Sequence, residues 1–147
     1  MVYLGKVFFI FFSAADYSEA EKPFTGEVYG GGEKEEEQML INFNEIKEIK
    51  VPGMNGGTGE ITAKMYMDQY GKIIPCHIPA GGSIGMHRHE TSDDINFVLS
   101  GAGRAVCDGK EELLTAGICH ICRKGSEHSI INTGDEDLVL LAVVAER

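Results

Sequence analysis

The sequence predicts an all-β domain, a sandwich or barrel of short strands. Three observations predict it. Short apolar stretches alternate with polar residues at a period of two. Turn signals separate them at fairly even spacing. Nineteen glycines in 147 residues punctuate the chain, more than a helical bundle would tolerate. The length is enough for one domain with a real core, and no internal repeat is evident.

The first 38 residues read differently from the rest. Val7 to Phe12 resembles the apolar part of a signal peptide, but Lys6 is the only positive charge ahead of it. Ser13, Ala14 and Ala15 make a weak cleavage site. "GGGEKEEEQ" runs directly into Met39. Its Gly, Glu and Lys codons are purine-rich, as in a ribosome-binding region. Residues 1–38 are therefore read as a translated upstream region or a dispensable extension, with Met39 as the natural start. The competing reading is a solvated acidic linker, Glu35–Glu37 included.

Residues 39–60 form a lead-in. "NFNEIKEIKV" is expected to hold one helical turn capped by Asn44, and "PGMNGGTGE" is a loop. The β domain is expected over residues 61–147. "ITAKMYMDQY" alternates Ile61, Ala63, Met65 and Met67 against Thr62, Lys64, Tyr66 and Asp68, which predicts a strand. Met65, Met67 and Met86 are expected in the core rather than as thioether ligands. "KIIPCHI" returns after Gly71, with His77 as a structural histidine. "INFVLSGAGRAVCDGKEELL" predicts strands around Gly101–Gly103 and a hairpin at Asp108-Gly109. "GICHICRKGSEHSIINTGDEDLVLLAVVAE" predicts three more, with turns near Lys124-Gly125 and Thr133-Gly134.

The formal charge of −10 argues against a nucleic-acid partner, which would need clustered Lys and Arg. No apolar run has the roughly 20 residues of a membrane-spanning helix. Four cysteines make no dense framework, so a cytoplasmic protein with reduced thiols is expected. "CHIC" resembles a redox or zinc motif, but residues three apart on a strand point to opposite faces. Its cysteines are therefore expected in the barrel wall. His120, between them, is expected outside the cavity or behind the ligands.

"GMHRHETSDD" carries the chemistry. On a strand, His87 and His89 point to the same side and can aim two imidazoles at one ion. Asp94 follows at the head of the next strand and can add an oxygen. "RKGSEHSIIN" offers His128 after a glycine turn. Asp93 is expected to point away. Asn96 shares the face of Asp94 and is expected in the ligand pocket.

The larger spacing resembles the cupin family. Gly81, His87, His89, position 94 and Gly101 fall in the register of the first cupin motif. Gly117, Gly125, His128 and Asn132 fall in that of the second. Two positions depart from the pattern. Asp94 stands where the family usually has Glu, one methylene longer. Arg123 stands at a turn position usually held by Pro, and is expected to form a surface ion pair.

The resemblance implies a double-stranded β-helix, or jelly-roll barrel, in a single domain. It implies a divalent metal (Fe, Mn, Ni, Co or Zn) held by His87, His89, Asp94 and His128, with open positions left on the ion. It also implies a homodimer and a small organic molecule as ligand or substrate. The function expected is a metalloenzyme of dioxygenase, isomerase or lyase type. The alternative is a non-catalytic cupin that binds or senses a small ligand.

Overall fold

A computed structural model describes residues 40–147. The readings that fall on residues 1–39, including the start at Met39 and the segment Val7 to Phe12, lie outside the described residues. Contacts divide the chain into Met1–Asn42 and Phe43–Arg147, and the fold is that of the second unit.

Eleven strands carry it: β1 (Ile49–Pro52), β2 (Glu60–Ala63), β3 (Tyr66–Asp68), β4 (Gly71–Ile78), β5 (Ser83–Arg88), β6 (Ser92–Ser100), β7 (Ala102–Cys107), β8 (Lys110–Thr115), β9 (Cys119–Cys122), β10 (Glu127–Asn132) and β11 (Leu138–Glu146). The larger sheet has the order β1-β2-β4-β11-β6-β9, with β3 also paired to β4. The smaller has the order β5-β10-β7-β8. All pairings are antiparallel.

Period-two alternation builds the core between the sheets. Leu138, Leu140, Ala142 and Val144 of β11 are buried, as are Ile74, Cys76 and Ile78 of β4 and Val98 of β6. Ile84, Ala105, Leu114 and Ile130 answer them from the smaller sheet. Each fully buried Leu or Ile contributes about 1.5–3 kcal/mol of transfer free energy. Asn132 of the second motif is structural. Its side-chain amide donates to the carbonyls of Ile78 and Glu136, both at 2.8 Å.

Several expectations are corrected. The single turn expected in the lead-in lies at residues 43–45, with Asn44 inside it rather than at its cap, and β1 extends the larger sheet back into the lead-in. The strand expected over "ITAKMYMDQY" is interrupted between β2 and β3. Both halves keep one register on β4: Ala63 pairs with Cys76, and Tyr66 with Ile73. The gap faces Pro75, whose carbonyl accepts from the Lys64 N–H at 3.0 Å. Proline has no N–H to complete the ladder there. Met67 and Met86 are exposed and Met65 half-buried, so none is a fully buried core residue. Alternation shows which residues share a face, not which face is covered.

The Asp108-Gly109 hairpin forms as expected, with φ of 46° and 78°. Both values match the mirror-image turn that follows the strand twist. A short 3-10 turn, Met54–Gly56, packs against β5. The approach is so close that a Cβ on Gly85 would lie 2.1 Å from the Asn55 carbonyl oxygen. Only glycine fits there, and Gly85 lies two residues from His87.

Candidate metal centre

Both sheets contribute to one cluster. In the smaller sheet, His87 of β5 and His128 of β10 are register partners. His89 lies one residue past β5. Its backbone donates to Ser126 at 3.0 Å and accepts from Gly125 at 2.6 Å, which fixes it to the turn before β10. Asp94 comes from β6 of the larger sheet, paired with Val144 and Cys122. The four residues offer ligand atoms that all lie within 4.8 Å of one another. His89, Asp94 and His128 are buried, and His87 is half-buried. His87 is therefore the member nearest solvent.

The three Nε2 atoms form a triangle with sides of 3.0 Å (His87–His89), 3.1 Å (His87–His128) and 3.2 Å (His89–His128). Asp94 Oδ2 lies 3.1 Å from His128 Nε2 and 3.4 Å from His89 Nε2. Nitrogens about 2.1 Å from a shared ion stand about 3.0 Å apart at right angles, and about 3.4 Å apart at tetrahedral angles. The triangle fits one face of a six-coordinate shell.

Each outer ring nitrogen has its own partner. His87 Nδ1 donates to the Gly85 carbonyl at 2.9 Å. His89 Nδ1 faces the Ser92 hydroxyl at 3.4 Å. His128 Nδ1 faces His120 Nε2 at 2.9 Å, and His120 Nδ1 donates to the Glu112 carboxylate at 2.7 Å. With protons on the outer nitrogens, three Nε2 lone pairs point at one another. That repulsion is relieved by a cation among them.

The electrostatics agree. Burial pushes the His87 imidazole down to about 4, against the bond to the Gly85 carbonyl. Burial also lowers His128, opposed by its contact with Asp94. Both rings are thus neutral at physiological pH, as a metal ligand must be. Burial alone would raise the Asp94 carboxyl, and only a proton on His128 or His89 Nε2, or a cation in its place, holds it below the usual carboxylate range. Asp94 Oδ1 has no hydrogen-bond partner in the protein although it is buried. Three neutral imidazoles and a carboxylate can hold a divalent ion.

The neighbouring acid has another task. Asp93 points to the opposite face and is buried. It accepts from the Lys124 N–H at 2.8 Å and Arg123 Nη1 at 2.9 Å, and forms an ion pair with Arg147, whose Nε lies 3.1 Å away. Arg123, at the position expected for proline, therefore pairs with a buried partner. The "CHIC" thiols diverge, Cys119 exposed and Cys122 buried. Burial pushes the Cys122 thiol up to about 12, so it stays protonated. Asn96 is buried on the face of Asp94, and its Nδ2 has no partner. His77 lies on the outer face of β4, 3.7 Å from Asp137.

Sequence reasoning missed Glu112. The signal was available: Glu112 shares a face with Leu114, a core residue, at the strand period of two. It left His120 between two places, and the structure puts it behind His128.

Comparison with known proteins agrees with this geometry. The family model for the cupin domain matches residues 76–144, which include all four clustered residues. A Thermotoga maritima protein named oxalate-binding protein is 33% identical over 117 residues, covering 76% of this chain and 97% of that protein. A Thermotoga maritima crystal structure, described as a predicted oxalate decarboxylase, superposes with a TM-score of 0.70 at 30% identity. That match covers 74% of this chain and all of the other. An RmlC-like cupin from Shewanella frigidimarina shares the fold alone, with a TM-score of 0.63 at 14% identity over 76% of this chain and 93% of the other. With its two facing antiparallel sheets of the jelly-roll type and these matches, the chain belongs to the cupin family.

Proposed function

We propose that this cupin holds one divalent ion on His87, His89, Asp94 and His128 and binds a small carboxylate of the oxalate class there. The observation that carries the reading is the triangle of Nε2 lone pairs at 3.0–3.2 Å, with each outer nitrogen occupied elsewhere. The name of the Thermotoga maritima relative supports the ligand class. When bound, the ion supplies positive charge and open positions to ligand oxygens, as a Lewis acid. Fe(II), Mn(II), Co(II) and Ni(II) suit a six-coordinate shell of this kind, and Zn(II) in a five-coordinate one.

The chain's own residues tune that charge. Asp94 offsets one of the two positive charges and the imidazoles offset none, so an anion is still attracted. Asn96 Nδ2, buried and unpartnered, offers an N–H to a ligand oxygen. Half-buried His87 marks the side from which a ligand enters.

Binding is favoured over catalysis by what the cavity lacks a use for. Ser92 faces His89, His120 lies between Glu112 and His128, and Asn132 holds backbone carbonyls. Among the described residues, the remaining buried polar side chain on this face is Asn96, and an amide does not shuttle protons. The second reading is a metalloenzyme of lyase type, supported by the decarboxylase description of the solved relative. Dioxygenase and isomerase chemistry have no such support.

Calorimetric titration of oxalate into metal-loaded and chelator-treated protein tests the reading. Binding is expected in the loaded protein alone. Equal binding after chelation would sink it. Release of carbon dioxide and formate from the loaded protein would favour the lyase.

We also propose that a second copy of the chain covers the outer face of the larger sheet. Phe97 and Leu99 of β6 and Ile121 of β9 are exposed there. Ile95 stands opposite Ile121 and Val143, and Phe97 opposite Leu141, so the apolar surface is continuous across three strands.

A further inference from the structure

We infer that Glu112 and His120 are positioning residues that lock the tautomer of His128. The inference rests on the reading of His128 as a metal ligand. Glu112 of β8, His120 of β9 and His128 of β10 form a chain, linked at 2.7 Å and 2.9 Å. The two rings are stacked, with centroids 5.2 Å apart and planes 23° from parallel. His120 and His128 are buried, whereas the Glu112 carboxylate is half in solvent.

The direction of each bond follows from the chemistry of its ends. A carboxylate only accepts, so His120 carries its proton on Nδ1. Neutral His120 then presents a lone pair at Nε2. That lone pair accepts the Nδ1 proton of His128, which leaves His128 Nε2 bare toward Asp94 and the other two imidazoles. The reverse arrangement would put a proton on His128 Nε2, where the ion needs a lone pair. The charge of Glu112, relayed through His120, also makes the His128 ring a stronger donor.

The chain crosses between the sheets. Glu112 and His128 belong to the smaller sheet and His120 to the larger. The three bring the wall behind the ion into one hydrogen-bonded unit. His87 and His89 have simpler partners, a backbone carbonyl and a hydroxyl.

Two measurements on the full chain test this. In chelator-treated protein, nitrogen-15 NMR of the histidine rings reads the tautomer without any metal. Wild type should show His128 protonated on Nδ1, and Glu112→Ala should shift it toward a mixture. Cobalt(II) affinity, measured by competition with a chelator, is the second readout. His120→Phe keeps the bulk and removes the acceptor, and should weaken cobalt binding on the order of 10- to 100-fold. His120→Gln places a carbonyl oxygen near the lost Nε2 and should recover most of it. Equal affinity in wild type and His120→Phe would overturn the inference, as would a His120→Gln variant no better than His120→Phe. If wild type binds no cobalt but shows the locked tautomer, the metal-centre reading fails and the lock stands.

Discussion

His87 Nε2 lies 3.1 Å from His128 Nε2 although 41 positions separate the two residues in the chain. Antiparallel pairing of β5 with β10 makes them direct neighbours. A bulge between His128 and Ile130 shifts the register beyond that pair. The contact is thus set by the backbone ladder, and side-chain packing on the opposite sheet adds Asp94.

Asp93 and Asp94 are adjacent acids that face opposite ways, Asp94 in the histidine cluster and Asp93 against Arg123 and Lys124. Asp94→Ala should weaken metal binding by about tenfold or more while the fold persists. Asp93→Ala should leave the metal stoichiometry unchanged and lower the thermal midpoint, because it frees Arg123, Arg147 and the Lys124 N–H from a shared carboxylate. Metal content and thermal melts of both variants check this. Loss of metal in the Asp93 variant alone would reverse the assignment.

The opposite placement of the two acids was legible in the sequence. Period two separates neighbouring residues, and motif spacing separates position 94 from 93. The clustering of His87, His89 and His128 was legible for the same reason, since they sit at fixed offsets from turn glycines. What was not legible depended on contacts between sheets. Glu112 meets His120 only because β8 and β9 belong to different sheets that face each other. The exposure of Met67 and Met86 was hidden because alternation does not say which face a neighbour covers. The break opposite Pro75 could have been read, since a proline inside "KIIPCHI" removes one ladder donor.

The metal-free protein should be less stable in acid. Burial holds His87 near about 4 in the folded state, against an ordinary value of 6.5. Between these values the unfolded chain binds more protons than the folded one, so stability rises with pH. It is fully present above the ordinary value and is lost as pH falls toward the folded one. The shift corresponds to at most about 3 kcal/mol, and burial of His128 acts in the same direction. Urea unfolding of chelator-treated protein at about pH 7.5 and about pH 4.5 measures it. A midpoint that does not fall in acid would contradict the assignment.

Gly85→Ala should disturb the site from behind. Its Cβ would overlap the Asn55 carbonyl, so β5 or the Met54–Gly56 turn must move. Gly85 also supplies the carbonyl that holds His87 Nδ1. Reduced stability together with weaker cobalt binding is expected. Normal affinity would mean that the turn moves and β5 does not.

Phe97→Lys should convert a dimer to a monomer in light scattering coupled to gel filtration, with the metal retained. The outer face would then carry charge at the centre of its apolar surface. An unchanged oligomer would place the interface elsewhere.

The most direct test of the metal centre is elemental analysis of wild type, His87→Ala and His128→Ala after reconstitution with a divalent metal and removal of the excess. A single ion per chain is expected in wild type and almost none in either variant, with far-ultraviolet dichroism unchanged. Wild-type metal content in both variants would contradict it.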